Sequence, residues 1–408
     1  MSISVKSILL ICTLTSGVAI AADENVEAKE DKASTFAQMF EKSAVSGNLR
    51  SMYAGYDQKQ AGENNIYATA IGGYLKYELS ELNGFSAAAA FATSHDIGFA
   101  TGDKESKHND ELSSSEGKYS MLSEVYLNYK YDSFNFRAGR QLIDTPLADS
   151  DDIRMIFNTF EAYIATYEAS GFSVMAGKLE KWQGYDAGLD ERWIKTGEDG
   201  TLFSGIAYSN DILEANAWYY NISKLTNATY LDAKFTHGIT DDFSVSGAAQ
   251  YLRENEIGNS STEASIYGLL AEASAYGFTL SAAYNKSEKE SGKASFSGFG
   301  GGTLFTSMDT MILDEITNDR DARAIVGGIR YEIDNVTTLS YAYGDFDGKA
   351  DRIGDKAHIV EQNIGLEYNV LKDKFTLSAI YAIEKDKESS AKTENDWNRL
   401  QIMASYSF

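Results

Sequence analysis

One cysteine, Cys12, and one proline, Pro146, are all that the 408 residues contain of those two types. A disulfide framework, a CxxC zinc site and a cysteine nucleophile in the exported chain are therefore excluded. Basic residues are also scarce, 36 against 60 acids, for a formal charge of −24. Nucleic acid is thus a poor partner, because phosphate binding needs a concentrated basic face. The four histidines, His95, His108, His237 and His358, lack metal-ligand spacing and are expected in solvent. No stretch beyond the first 21 residues is long and apolar enough for a membrane helix.

Residues 1–21 read as a cleaved export signal. Lys6 gives a positive start, residues 8–20 are mostly apolar, and Ala19, Ile20 and Ala21 fit the small-residue cleavage pattern. Removing the segment removes the only cysteine. What remains is rich in 26 tyrosines and 20 phenylalanines, and the whole chain has 34 glycines. An exported, aromatic, nearly proline-free chain without membrane helices points to an all-β fold, a transmembrane antiparallel β-barrel. There only the outer face must be apolar, so overall hydropathy stays modest.

Period-two alternation supports this. From Asn398, alternate positions read Asn398, Leu400, Ile402, Ala404, Tyr406 and Phe408, while Trp397, Arg399, Gln401, Met403, Ser405 and Ser407 form the other face. One face suits lipid and the other water. Similar segments predict strands near 45–56, 65–79, 84–93, 119–131, 133–141, 159–168, 171–180, 201–209 and 213–221. They continue near 228–237, 242–252, 265–275, 277–286, 322–333, 336–344, 358–369, 374–384 and 397–408, making eighteen. In the fourth, Tyr119, Met121, Ser123, Val125, Leu127, Tyr129 and Tyr131 are assigned to one face. Connections after even-numbered strands are short, such as 80–83, 210–212 and 238–241. Those after odd-numbered strands are mostly longer, as at 94–118, 142–158, 181–200 and 287–321. Short periplasmic turns alternating with long outer loops are the expected asymmetry of such a barrel. The Gly-rich stretch 297–302 is read as the tip of a long outer loop. Residues 22–42 are read as a periplasmic lead-in, with Phe36, Met39 and Phe40 at helical spacing, and 43–408 as the barrel domain.

Loop 142–158 has its own chemistry. It holds the proline and the acids Asp144, Asp149, Asp151 and Asp152, near Arg140 and Arg154. Ile153, Met155, Ile156 and Phe157 are too apolar for a free surface loop, so folding inward against the barrel wall is expected. Its charges would then line a constriction, where low-dielectric walls strengthen their effect on ions. By strand parity, Arg50, Arg137, Arg330, Arg399, Lys130, Lys178 and Lys234 face the lumen, with Glu124, Asp232, Glu272, Glu361 and Glu367. No cofactor is expected. The carboxylates of Asp149, Asp151 and Asp152 are of the type that takes Ca²⁺, but no loop signature accompanies them.

Several of these segments resemble the OprD-type outer-membrane porins. The resemblance is carried by Gly139-Arg140-Gln141-Leu142-Ile143-Asp144-Thr145-Pro146, by Asp151-Asp152-Ile153-Arg154 and by Asn158-Thr159-Phe160-Glu161. Ala176-Gly177-Lys178-Leu179 is similar to the family's following strand, and Val45-Ser46-Gly47-Asn48-Leu49-Arg50 to the first strand of related major porins. The motifs cover about 130–185, and Phe157 stands where the family often has proline. The resemblance implies an eighteen-stranded barrel whose third outer loop enters the lumen, and an arginine track for carboxylate solutes beside an acidic pocket. The function expected is passive diffusion of ions and small charged or zwitterionic solutes across the outer membrane of a Gram-negative cell, with lipid and solutes as partners. A substrate-specific amino-acid or carboxylate channel and a surface adhesin are the alternatives. A barrel enzyme is not expected, since no His, Ser and Asn or Asp fall at one height on adjacent strands. Monomer and homotrimer are both compatible with the sequence.

Overall fold

The computed structural model describes residues 32–334, 336–350, 356–371 and 374–408. The export signal and the charged start of the lead-in lie outside the described residues. After a short helix α1 (Phe36–Glu41), the chain forms β1 (Ala44–Gln58), β2 (Ile66–Glu78), β3 (Phe85–Asp96), β4 (Lys118–Tyr131), β5 (Phe134–Gln141) and β6 (Thr159–Ala169). Next come β7 (Phe172–Gln183), β8 (Thr201–Ser209), β9 (Leu213–Ile222), β10 (Thr226–Thr240), β11 (Phe243–Glu256) and β12 (Ala264–Ala275). Last are β13 (Phe278–Ser287), β14 (Asp321–Glu332), β15 (Thr337–Lys349), β16 (Ala357–Val370), β17 (Phe375–Asp386) and β18 (Trp397–Ser407). Each pairs antiparallel with its sequence neighbours, and β1 pairs with β18 from Asn48–Ser407 to Gln58–Trp397. The sheet is therefore a closed barrel of eighteen long strands, with no open edge.

Alternation sorts the side chains. Leu49, Leu75, Leu269 and Leu280 are among many large apolar residues left exposed on the outer wall. In water that would be unfavourable, but against lipid it is the required surface. On β18, Arg399, Gln401 and Met403 are buried inside, while Ile402, Tyr406 and Phe408 are exposed outside, as the alternation requires. The Phe408 ring lies over Gly47, where an added Cβ would meet its Cζ at 3.2 Å and the Tyr74 carbonyl at 2.3 Å.

One strand departs from the expected parity. Ala90 pairs with Glu124 and Phe91 with Leu122, so Ser123 is an extra residue in β4. Such a bulge flips the faces beyond it. Tyr119, Met121 and Ser123 point inward, whereas Val125 and Leu127 point outward, so the seven residues do not share a face. The bulge is held from both sides: Ser123 Oγ donates to the Ala90 carbonyl at 3.2 Å, and Thr159 Oγ1 donates to the Ser123 carbonyl at 2.6 Å.

Candidate functional site inside the barrel

Loop 142–158 begins with a two-residue ladder in which Asp144 and Thr145 pair with Asp149 and Ala148. Pro146 opens the turn, where its fixed φ is an advantage. The Asp144 carboxylate closes the hairpin by accepting from Ser150 Oγ and from the Ser150 amide at 3.3 Å. Leu147 N–H donates to Tyr220 Oη at 3.4 Å, and Ile143, Leu147 and Ala148 are buried in one cluster with Phe160, Phe203 and Tyr220 of the wall.

The Gly-rich stretch is not an outer loop tip. Phe299 N–H donates to the Leu147 carbonyl at 2.9 Å and its carbonyl accepts from Asp149 N–H at 3.1 Å, which adds a strand-like contact to the hairpin. Gly300 makes this approach possible. Its φ is +85°, and a Cβ there would lie 2.3 Å from Asn158 Nδ2 and 2.8 Å from the Asp149 carbonyl. The rest of loop 288–320 also turns inward. Phe305 N–H donates to Gln250 Oε1 at 2.9 Å, and Met311 N–H to Glu361 Oε2 at 2.6 Å.

The second half of loop 142–158 reaches the opposite wall. Met155, Ile156 and Phe157 are buried with Met52 and Ala54 of β1, Ala68 and Ala70 of β2, Ala92 of β3 and Met403 of β18. Small inward side chains leave the room the loop fills. Phe157 fills part of it, with its ring edge-on to Tyr74 at 5.6 Å.

Charged groups meet where the loop touches this wall. Arg50 of β1 grips Asp152 through two bonds, NH1 to Oδ1 at 2.5 Å and NH2 to Oδ2 at 2.7 Å, and NH1 also donates to the Arg154 carbonyl at 2.7 Å. Arg154 donates to Glu111 Oε1 at 3.1 Å and lies over the Tyr185 ring at 4.7 Å. Arg399 of β18 donates to the same Glu111 oxygen and to Asp309 Oδ2 at 2.6 Å, and Gln401 Nε2 adds a bond to Glu111 at 2.8 Å. Burial opposes charge on Glu111, but Arg399 and Arg154 outweigh it and hold the carboxyl below its ordinary range. Asp151 differs: burial first, then Asp186, push it up to about 8. Its φ of +44° places it off the β path, and its N–H donates to Asp149 Oδ1 at 2.8 Å.

The network joins wall strands β1 and β18 to four loops, 97–117, 142–158, 184–200 and 288–320. Sequence reading found Arg50, Asp152, Arg154 and Arg399. It missed Glu111, Asp309, Tyr185 and Asp186, which sit in loops with no alternation to betray their direction. Other expected residues lie elsewhere. Arg140 is opposite the outward Val125, stacks on Trp193 at 4.2 Å and faces Glu161 at 3.9 Å, so it is on the outer wall. Lys178, opposite the exposed Tyr163 and Leu202, is outside as well. Arg140 had been expected at the constriction beside the loop, but it stands three residues after the inward Arg137 and so on the opposite face of β5. Lys178, placed inside by alternation, shares the outer face with Tyr163 and Leu202. Arg137 does face inward, over the Tyr126 ring at 4.3 Å, and Arg330 is paired with Glu332 on its own strand. Neither is among the groups that bond to the loop network above.

His108, expected in solvent, is buried with Nε2 at 2.5 Å from Asp96 Oδ2. Among the described residues no group of three or more His, Cys, Asp or Glu side chains is arranged to hold a metal ion. Asp149 and Asp152 are instead engaged with the Asp151 amide and Arg50.

A family model for outer membrane porins of the OprD family matches residues 37–408. No curated protein matches the sequence. Among solved structures, OccAB3 of Acinetobacter baumannii is similar with a TM-score of 0.78 at 13% identity, covering 90% of this chain and 99% of its own. A BenF-like porin of Pseudomonas fluorescens gives 0.77 at 13%, covering 91% and 99%. OpdK of Pseudomonas aeruginosa, solved with vanillate, gives 0.75 at 16% over the same shares. At these identities the structures speak for the fold, and the family model speaks for membership. The chain belongs to the OprD family of outer membrane porins.

Proposed function

We propose that loop 142–158 narrows the channel and that solutes pass beside the Arg50–Asp152 and Glu111 network. The channel is then weakly cation-selective and also admits small zwitterions and carboxylates. One observation carries this reading: Arg50, Arg154 and Arg399 are each matched by a carboxylate, while Asp151 and Asp186 are additional acids beside them whose burial raises their pKa, so that the surplus negative charge is slight and grows as pH rises. Fixed charge at a narrow passage decides which ions are favoured there. Arg50 also offers an exchange site. Asp152, with 40% of its side chain exposed, is the accessible partner, and a solute carboxylate would replace it on the same planar donors. The vanillate in the OpdK structure is a carboxylate, the chemistry such an exchange would take. In the same reading residues 1–21 serve as the export signal.

The test is single-channel recording in planar bilayers, with reversal potentials across a salt gradient and competition by small carboxylates. Replacing Asp151 and Asp152 together with Asn should lower cation preference, and Arg154→Ala should raise it. Deleting 147–156 should raise conductance. Unchanged conductance in a folded deletion barrel would place the loop away from the solute path and overturn the proposal.

A further inference from the structure

Helix α1 sits at the barrel rim where β1 begins and β18 ends. Thr35 caps it, its side chain accepting from Gln38 N–H at 3.3 Å. Six residues are too few to hold a helix alone. Its position is set by backbone bonds to the β2–β3 turn: Ala33 N–H to the Glu81 carbonyl at 2.8 Å, and Ser80 N–H to the Met39 carbonyl at 3.1 Å. Met39 is buried in that seat. Phe36 and Phe40, one turn apart, are instead 70% and 47% exposed, with ring centroids 5.3 Å apart.

The side of the rim follows from the register. Tyr77 Oη donates to the Phe40 carbonyl at 3.5 Å, and Tyr77 lies opposite Val45, which is exposed on the lipid-facing side with Leu49 and Leu75. The helix therefore lies over the outer wall rather than beneath the mouth of the lumen. Val45, Tyr77 and Phe408 are exposed on this same outer wall, and Tyr77 ties the helix to it through the Phe40 carbonyl.

We propose that α1 is an interfacial membrane anchor, with Phe36 and Phe40 inserted at the headgroup–acyl boundary of the leaflet at that rim. Attachment to the lipid-facing wall argues for lipid. So does size: two aromatic rings offer roughly 300–500 Å², below the ~800 Å² per partner of a specific protein interface. Lipid imposes no such minimum, since an apolar face at the interface gains with each ring it buries.

The test uses the whole barrel with its lead-in, isolated from the outer membrane and reconstituted in phosphatidylcholine–phosphatidylglycerol vesicles. Single nitroxide labels are placed at Phe36→Cys, Phe40→Cys, Glu41→Cys and the lipid-facing Leu49→Cys, all with Cys12→Ser. Power saturation compares collisions with oxygen, which enters lipid, and with a water-soluble nickel complex. The oxygen-to-nickel ratio at 36 and 40 should approach that at 49 and exceed that at 41 several-fold. Because the labels at 36 and 40 each remove one ring, a fifth at Ala37→Cys keeps both. It should gain nickel access when Phe36 and Phe40 are both changed to Ser. Labels at 36 and 40 that behave like 41 would show that the rings remain in water. Labels shielded from both reagents would show that protein, a second copy included, covers them. Either result, or an Ala37 label indifferent to loss of the rings, overturns the proposal.

Discussion

Glu111→Gln removes one negative charge while preserving size and one acceptor oxygen. Arg154 loses the carboxylate it holds at 3.1 Å, and Arg399 keeps only Asp309 at 2.6 Å. The crossing gains one net positive charge. For an ion passing about 5 Å away, the added interaction is about 0.8 kcal/mol in water. Screening over a Debye length of about 8 Å leaves about half of that at physiological salt. Anions gain what cations lose, so the cation-to-anion permeability ratio should fall roughly four-fold, given RT of about 0.59 kcal/mol. In 1 M salt the Debye length is about 3 Å and most of the shift should vanish. The readout is reversal potential across a salt gradient, measured at both salt concentrations on a barrel that still shows heat-modifiable migration. A folded variant with an unchanged low-salt reversal potential would refute the reasoning, because the network would then lie outside the ion path.

Three further outcomes follow from the same geometry. With Asp151 pushed up to about 8, it is mostly neutral at pH 6 and mostly charged at pH 9, so cation preference should rise between them. Asp151→Asn should flatten that part of the pH profile, and an unaltered profile would assign the titration elsewhere. Leu269, 60% exposed at the middle of β12, faces lipid, so Leu269→Arg should cost about 2–4 kcal/mol in a reversible unfolding measurement. No loss would contradict the assigned face. Deleting Phe408 removes the ring over Gly47 and the mutual backbone bonds at 3.2 and 3.0 Å that finish β18 against β1, so the yield of assembled barrel should drop. Normal assembly would show that closure does not need this residue.

The sequence by itself determined the wall. Lipid on one side and water on the other impose a two-residue period, and each strand carries that signal locally, from Trp397–Ser407 back to Ala44–Gln58. The asymmetry of turns and loops is also local, and so is the apolar content that sends loop 142–158 to cover. The structure decided what that period cannot encode. An extra Ser123 in β4 reverses the faces beyond it, and only the strand pairing shows that Lys178 faces out with Tyr163 and Leu202. Loops have no parity, so nothing local shows that Gly300 fits against Asn158 or that Met311 reaches Glu361. The central contact joins Glu111 to Arg399, 288 residues apart. It exists because closure sets β18 beside β1 and three other loops enter the same space, a condition that only the finished barrel meets.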